Sequence, residues 1–239
     1  VDGNAANGAF KGILKIKDPN LDLDFDGDFV MVEDSNRFDF QASVNYWDLF
    51  ATHFTDDSIS VVTTRMDVDF TGKDLSNYSG NIHIEEATYE TGMRFYFFNE
   101  ILIRNRLAGE ERELKVESEL LSARLSGQYN LVELSDVMEQ YFQTQFLKPD
   151  EAPKYARSMT KMDYDLRVDL NNTELLTEIF LPKLYIEPNT VITSHFNSAN
   201  LSFDANVVSP GFSYGANQFR AFTIGLKGQE KKFTYRADF

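Results

Sequence analysis

The sequence predicts a mainly β chain of antiparallel strands, and three observations predict it. Residues 21–29, LDLDFDGDF, put Leu21, Leu23 and Phe25 on one side of an extended backbone and Asp22, Asp24 and Asp26 on the other. Strand side chains alternate faces with period two, so one face is apolar and the opposite face is a row of carboxylates. The same alternation returns at 38–46, 59–71 and 162–170. Turn-forming Gly, Pro, Asn and Asp divide the rest into about fourteen strands at roughly 8–12-residue spacing.

Taken in order, a polar, Gly-containing lead precedes a first strand at 9–17 (AFKGILKIK), closed by a turn at Asp18-Pro19-Asn20. The second strand spans 21–32, and Gly27 inside it predicts a bulge or bend. A turn at 33–37 leads to the third strand at 38–46. Residues 47–55 (WDLFATHFT) break the alternation and read as a short helical turn or lid, and 59–71 resume it with Met66, Val68 and Phe70 opposite Asp67 and Asp69. A unit of strand, Gly72, short polar link, Gly80 and strand follows, carrying Ile82 and Ile84 on one face. A related pattern recurs at 122–129 and more loosely at 193–208, with strands at 93–104 and 113–121 between them.

The period then changes. Leu131, Leu134, Val137, Met138, Tyr141, Phe142 and Phe146 recur at spacings of three and four, which is an amphipathic helix ended by Pro149 and Pro153. Residues 148–160 are the candidate linker, dividing a first β segment at 1–147 from a second at 161–239. At 162–170 Met162, Tyr164, Leu166 and Val168 oppose Asp163, Asp165, Arg167 and Asp169. A short helix is expected over 173–180, stopped by Pro182, and strands at 184–186, 191–197, 201–208, 219–226 and 232–236.

Composition narrows the function classes. With 38 Asp+Glu against 23 Lys+Arg the formal net charge is −15, which argues against nucleic acid and against a polybasic membrane-surface module. The absence of cysteine removes disulfides, thiolate nucleophiles and Cys-based zinc sites. No run approaches the ~20 apolar residues of a membrane helix. The first and last stretches, VDGNAANGAF and KKFTYRADF, read as a cut and as a strand still in progress, so the chain is expected to be a piece of a longer protein.

Few motifs carry chemistry. Asp22, Asp24, Asp26, Gly27 and Glu33 match calcium-loop spacing. The flanks read as strand, however, and carboxylates two apart on a strand lie ~6.6 Å apart, diverging from any one ion. A solvated acidic face is the reading adopted, and no metal or cofactor is expected, with calcium at Asp22, Asp24, Asp26 and Glu33 as the alternative. His53, His83 and His195 are far apart and none has a second His at metal-ligand spacing. No nucleophile elbow, zincin, P-loop or dinucleotide motif is present, and adjacent acids such as Glu85-Glu86 are expected by chance among 38. The chain is not expected to be an enzyme.

The runs LKIKDPNLDLDFDG (14–27), DFTGKDLSNYSGNIHIEEATYE (69–90) and ELLTEIFLPKLYIEPNTVITSHFNSA (174–199) resemble TamB-like proteins of the AsmA-like superfamily, in the form found in Bacteroidetes. The likeness covers roughly residues 8–227 and rests on the order of several degenerate units. It implies an antiparallel sheet curled into an open U-shaped trough, the β-taco, with a few short helices at the rim. It also implies a periplasmic location in a longer protein anchored in the inner membrane, and a role in phospholipid transport between membranes, in outer-membrane protein assembly, or both. The partners implied are phospholipid acyl chains, a TamA-like outer-membrane barrel and neighbouring segments of the same full-length chain. No catalytic residues are carried over.

One-face hydrophobicity agrees with such a trough, since each strand adds ~4.8 Å of length and fourteen would make roughly 65 Å. The expected groove-lining residues are Leu21, Leu23, Phe25, Phe38, Phe40, Val68, Phe70, Ile82, Ile84, Leu166 and Val168. The alternatives are that these side chains fill a closed sandwich core, and that the chain is a secreted β-sandwich module binding glycan or protein, with or without calcium.

Overall fold

Alternating sequence gives extended structure here almost everywhere it occurs. In a computed structural model of the chain, the described residues are 2–32, 35–56, 60–73, 77–92, 94–146, 160–175, 184–229 and 232–238. The strands are β1 (Asp2–Ala6), β2 (Ala9–Asp18), β3 (Leu21–Val32), β4 (Ser35–Asp48), β5 (Ser60–Gly72), β6 (Tyr78–Thr91), β7 (Arg94–Ala108) and β8 (Glu111–Ser118). They continue with β9 (Leu121–Gln128), β10 (Asp163–Leu170), β11 (Leu184–Ile186), β12 (Thr190–Asn197), β13 (Ser202–Tyr214), β14 (Asn217–Gln229) and β15 (Lys232–Asp238). The helix α1 (Leu134–Phe146) stands between β9 and β10.

The fold is mainly β, a single antiparallel sheet not closed into a barrel. Its strand order is β1-β2-β3-β4-β5-β6-β7-β8-β9-β10-β12-β13-β14-β15, with β11 off this path on β13. Among the described residues no helix is long and apolar enough to cross a membrane.

Two expectations need adjustment, and a third lies mostly outside the described residues. Residues 2–6, read as a lead, form β1: Gly3 pairs with Gly12 and Ala5 with Phe10, so backbone pairing orders a stretch with no β-forming side chains. Gly27 is not a bulge, since it stays in register between Gly12 and Phe40. The register instead shifts between Asp22 and Leu23, where β4 holds one extra residue between Val44 and Tyr46. The helix expected over 173–180 is described only at its start, residues 173–175.

The chain divides into two compact units, one of Val1–Arg106 with Val116–Glu119 and the other of Leu107–Lys115 with Leu120–Phe239. The 148–160 segment lies outside the described residues except for Thr160.

The first unit contains β1 to β7. A second bulge occurs on β6, where Thr63 and Arg65 of β5 pair with Thr88 and Glu85. Glu86 takes the left-handed conformation there, at φ 48°, and its carboxylate meets the Arg65 guanidinium. Between β4 and β5 the 47–55 segment is the expected helical turn. Asp48 Oδ1 accepts the Ala51 N–H at 2.8 Å, as a helix N-cap does.

In the second unit α1 lies on one face of the sheet. Its apolar positions fall at three- and four-residue spacing, so Leu134, Val137, Met138, Tyr141 and Phe142 share one side. That side packs on Leu125, Tyr164, Phe196, Phe203 and Ala205. Tyr141 and Phe196 are fully buried, with ring centroids 5.3 Å apart in an edge-to-face arrangement. Asn130 Oδ1 accepts the N–H of Val132 at 3.0 Å and so starts the turn that leads into α1.

Candidate functional site

In the first unit the strand register stacks apolar side chains into continuous rows across neighbouring strands, which is how a sheet face becomes one surface. Phe10, Phe29, Phe38 and Phe70 form one row. Phe40, Val68, Ile82 and Ile103 form the next, followed by Leu14, Phe25, Ala42, Met66, Ile84 and Ile101. Ile16, Leu23 and Val44 continue the face, and Leu21, Trp47, Val62, Tyr89 and Tyr96 carry it to the end of β4. Every groove residue expected from β3 to β6 therefore lies on this one face.

The rings touch one another along it. Centroids are 5.4 Å apart for Phe10 and Phe29, 4.9 Å for Phe25 and Phe40, and 4.5 Å for Phe38 and Phe70. Val68 and Val44 are buried, but Phe10, Phe25, Phe29, Phe38, Phe40 and Phe70 are only half-buried. Among the described residues of this unit no helix lies over the face.

The second unit repeats the arrangement with a partial cover. Ala123, Val168, Ile192, Val207 and Ile224 form one row, and Leu125, Leu166, Ser194, Ala205 and Leu226 form the next. Tyr164, Phe196, Phe203 and Gly228 make a third, nearest α1. The third row's aromatics are buried, whereas Val168, Ile192, Val207 and Ile224 of the first row are half-buried. Leu166 and Val168 thus share a face whose cover by α1 is incomplete.

Sequence reasoning named from none to three of the residues in each row. Phe10, Leu14 and Phe29 alternate as well as their neighbours do, but only the register shows which residues stand opposite them.

The opposite faces carry the charge. Lys15 Nζ lies 2.9 Å from Asp24 Oδ1, Lys11 Nζ 3.4 Å from Asp28, and Gln41 donates to Asp67 at 3.0 Å. In the second unit Arg167 clasps Asp169 through two nitrogens, and Lys227 meets Asp204 at 3.0 Å. The hydrogen bond from Lys15 holds the Asp24 carboxyl below its ordinary value and raises Lys15 in turn.

His83 Nε2 is 2.8 Å from Glu100 Oε1, and His195 Nδ1 is 3.0 Å from Asp165 Oδ1. Each is a cross-strand pair, while His53 lies in the 47–55 turn. A depression of about 450 Å³ in the second unit is lined by Arg124, Asp165, Leu166, Arg167, His195 and Asp204.

The calcium alternative meets a specific arrangement. Asp22, Asp24 and Asp26 lie along β3 on the charged face. Asn45, the extra residue of the β4 bulge, donates to Asp22 at 3.2 Å and to Asp24 at 3.3 Å. Lys15 Nζ contacts the other oxygen of Asp24, Oδ1, at 2.9 Å. Glu33 lies outside the described residues. Among those described, no three His, Asp or Glu side chains are grouped to hold a metal.

Compared with known proteins, the chain matches no protein family, no curated protein and no solved structure.

Proposed function

We propose that this chain is a segment of a TamB-like, periplasm-spanning protein, non-enzymatic, whose sheet curls into a trough holding phospholipid acyl chains. The full-length protein would be anchored in the inner membrane, and would serve phospholipid transport toward the outer membrane, assembly of outer-membrane proteins with a TamA-like barrel, or both.

The observation that carries this reading is the run of half-buried phenylalanines on the apolar face of the first unit, opposite a face of ion-paired charge. Exposing that much aromatic surface costs free energy at about 25 cal/mol per Å², and soluble monomers rarely keep large contiguous apolar patches without a use for them. Acyl chains suit such a surface because they need area and no hydrogen-bond partners. The alternation then keeps the outside wet along the whole length.

The test is native mass spectrometry of the purified chain, followed by lipid extraction. Bound phospholipid is expected, as is its loss in Phe38→Asp/Phe70→Asp, with Asp67→Asn on the opposite face unaffected. Absence of lipid from the wild-type chain, or full retention by a folded Phe38→Asp/Phe70→Asp, overturns the proposal.

A further inference from the structure

The 47–55 turn is an exposed apolar feature joined to the apolar face of the first unit. Trp47 belongs to that face, in the row it shares with Leu21 and Val62. The Phe54 ring packs on Trp47, with centroids 5.1 Å apart, yet Phe54 is 71% exposed and Phe50 44% exposed. Hydrogen bonds define the path of the turn that carries them. Phe54 N donates to Leu49 O at 2.7 Å, His53 N to Phe50 O at 2.9 Å, and Trp47 Nε1 to Thr52 Oγ1 at 2.9 Å. His53 adopts the left-handed conformation at φ 60°, which reverses the chain so that Phe54 returns to Trp47. Such a preorganised knob loses little conformational freedom when it meets a partner.

We propose that Phe50 and Phe54 form a lip through which acyl chains pass between a zwitterionic bilayer and the apolar face. This rests on the acyl-chain reading above and adds the place of entry. Continuity supports this site, in contrast with the exposed Phe95 and Phe97, which stand on the charged face, where Phe97 pairs with Thr88. Charge selects the membrane. The net charge of −15, with Asp48 and Asp56 at the turn itself, opposes an anionic surface but not a zwitterionic one. Phe and Trp are among the side chains that interfacial segments bury at the headgroup–acyl boundary.

The test follows transfer of fluorescent phosphatidylcholine from phosphatidylcholine vesicles to the chain by stopped flow, alongside the lipid load at equilibrium. In Phe50→Ser/Phe54→Ser the initial rate should fall about tenfold, as the lost apolar contact area predicts. The equilibrium load should be unchanged, and Phe50→Leu/Phe54→Leu should stay near wild type.

An unchanged rate with a normal load overturns the lip and leaves the groove standing. No load in the wild-type chain overturns both. Trp47 is the sole tryptophan, so its emission gives a readout that needs no variant. Vesicles of dibrominated phosphatidylcholine should quench it on mixing, ahead of lipid uptake, and quenching that only keeps pace with uptake counts against the lip.

Discussion

The hydroxyl of Tyr141 lies over the bare Cα of Gly228, so close that a Cβ on residue 228 would collide with it. Tyr141 is fully buried on α1, and Gly228 is on β14 in the row of Phe203. The same Cβ would stand 3.2 Å from Phe233. The glycine is therefore what lets the helix approach the sheet.

Gly228→Ala should destabilise the chain by about 1–3 kcal/mol, the usual cost of overpacking a closed core. Tyr141→Phe removes the colliding oxygen, and the double variant should recover part of the loss. Urea unfolding of the four chains measures the coupling, and additive losses would place the strain elsewhere.

The same helix–sheet contact sets an alkaline limit. Burial pushes the phenols of Tyr141 and Tyr164 up from 10.0 to about 12, because the phenolate is the form the core excludes. The folded value lies above the unfolded one, so this contribution to stability is fully present below pH 10 and is lost as pH rises toward 12. The urea midpoint should fall steeply in that window, together with the rise of tyrosinate absorbance. Tyr141→Phe should flatten the fall, and a midpoint insensitive to pH there would contradict the burial argument.

What could be read from sequence and what could not separates along physical lines. Leu21, Leu23 and Phe25 announce their face because period two needs no partner to be seen, and Val137 and Tyr141 announce theirs at spacing four. The bulges at Asn45 and Glu86 were not read from sequence, since an extra residue shows only when the partner strand's register is known. β1 was invisible for the opposite reason: Asp2–Ala6 has no strand propensity and is ordered by pairing with β2. The approach of Tyr141 to Gly228 joins residues 87 apart in the chain, so only the register and the seat of α1 could disclose it. The apolar face was thus legible as a tendency of single strands, and its rows were not.

Gly80 marks where the first unit's face tolerates no side chain. It stands at φ +148° opposite Phe70, and a Cβ there would reach the Asp69 carbonyl and come within 2.5 Å of Phe70 Cα. Gly80→Ala should cost about 1–3 kcal/mol through backbone strain and collision together. Gly92 also has a positive φ, +56°, but nothing lies within 4 Å of its would-be Cβ. Gly92→Ala should therefore cost about 1 kcal/mol, from conformation alone. Equal losses in the two variants would show that the crowding at Gly80 is relieved by a shift of the strand.

The acidic row of β3 should behave as one side of a salt-bridge ladder. Lys15 holds the Asp24 carboxyl below its ordinary 3.8, so the pairing is present above that value and is lost as pH falls through the depressed one. Both partners are well exposed, and water and salt screen such pairs strongly. Asp24→Asn should therefore leave the melting temperature nearly unchanged at neutral pH, and Lys15→Met/Asp24→Asn should do the same. Calcium added in a calorimeter should give no saturable heat at micromolar concentrations, because Lys15 already pairs with Asp24 and Asn45 already donates to Asp22 and Asp24. Tight uptake that disappears in Asp24→Asn would instead make this row a metal site, with Lys15 displaced from it.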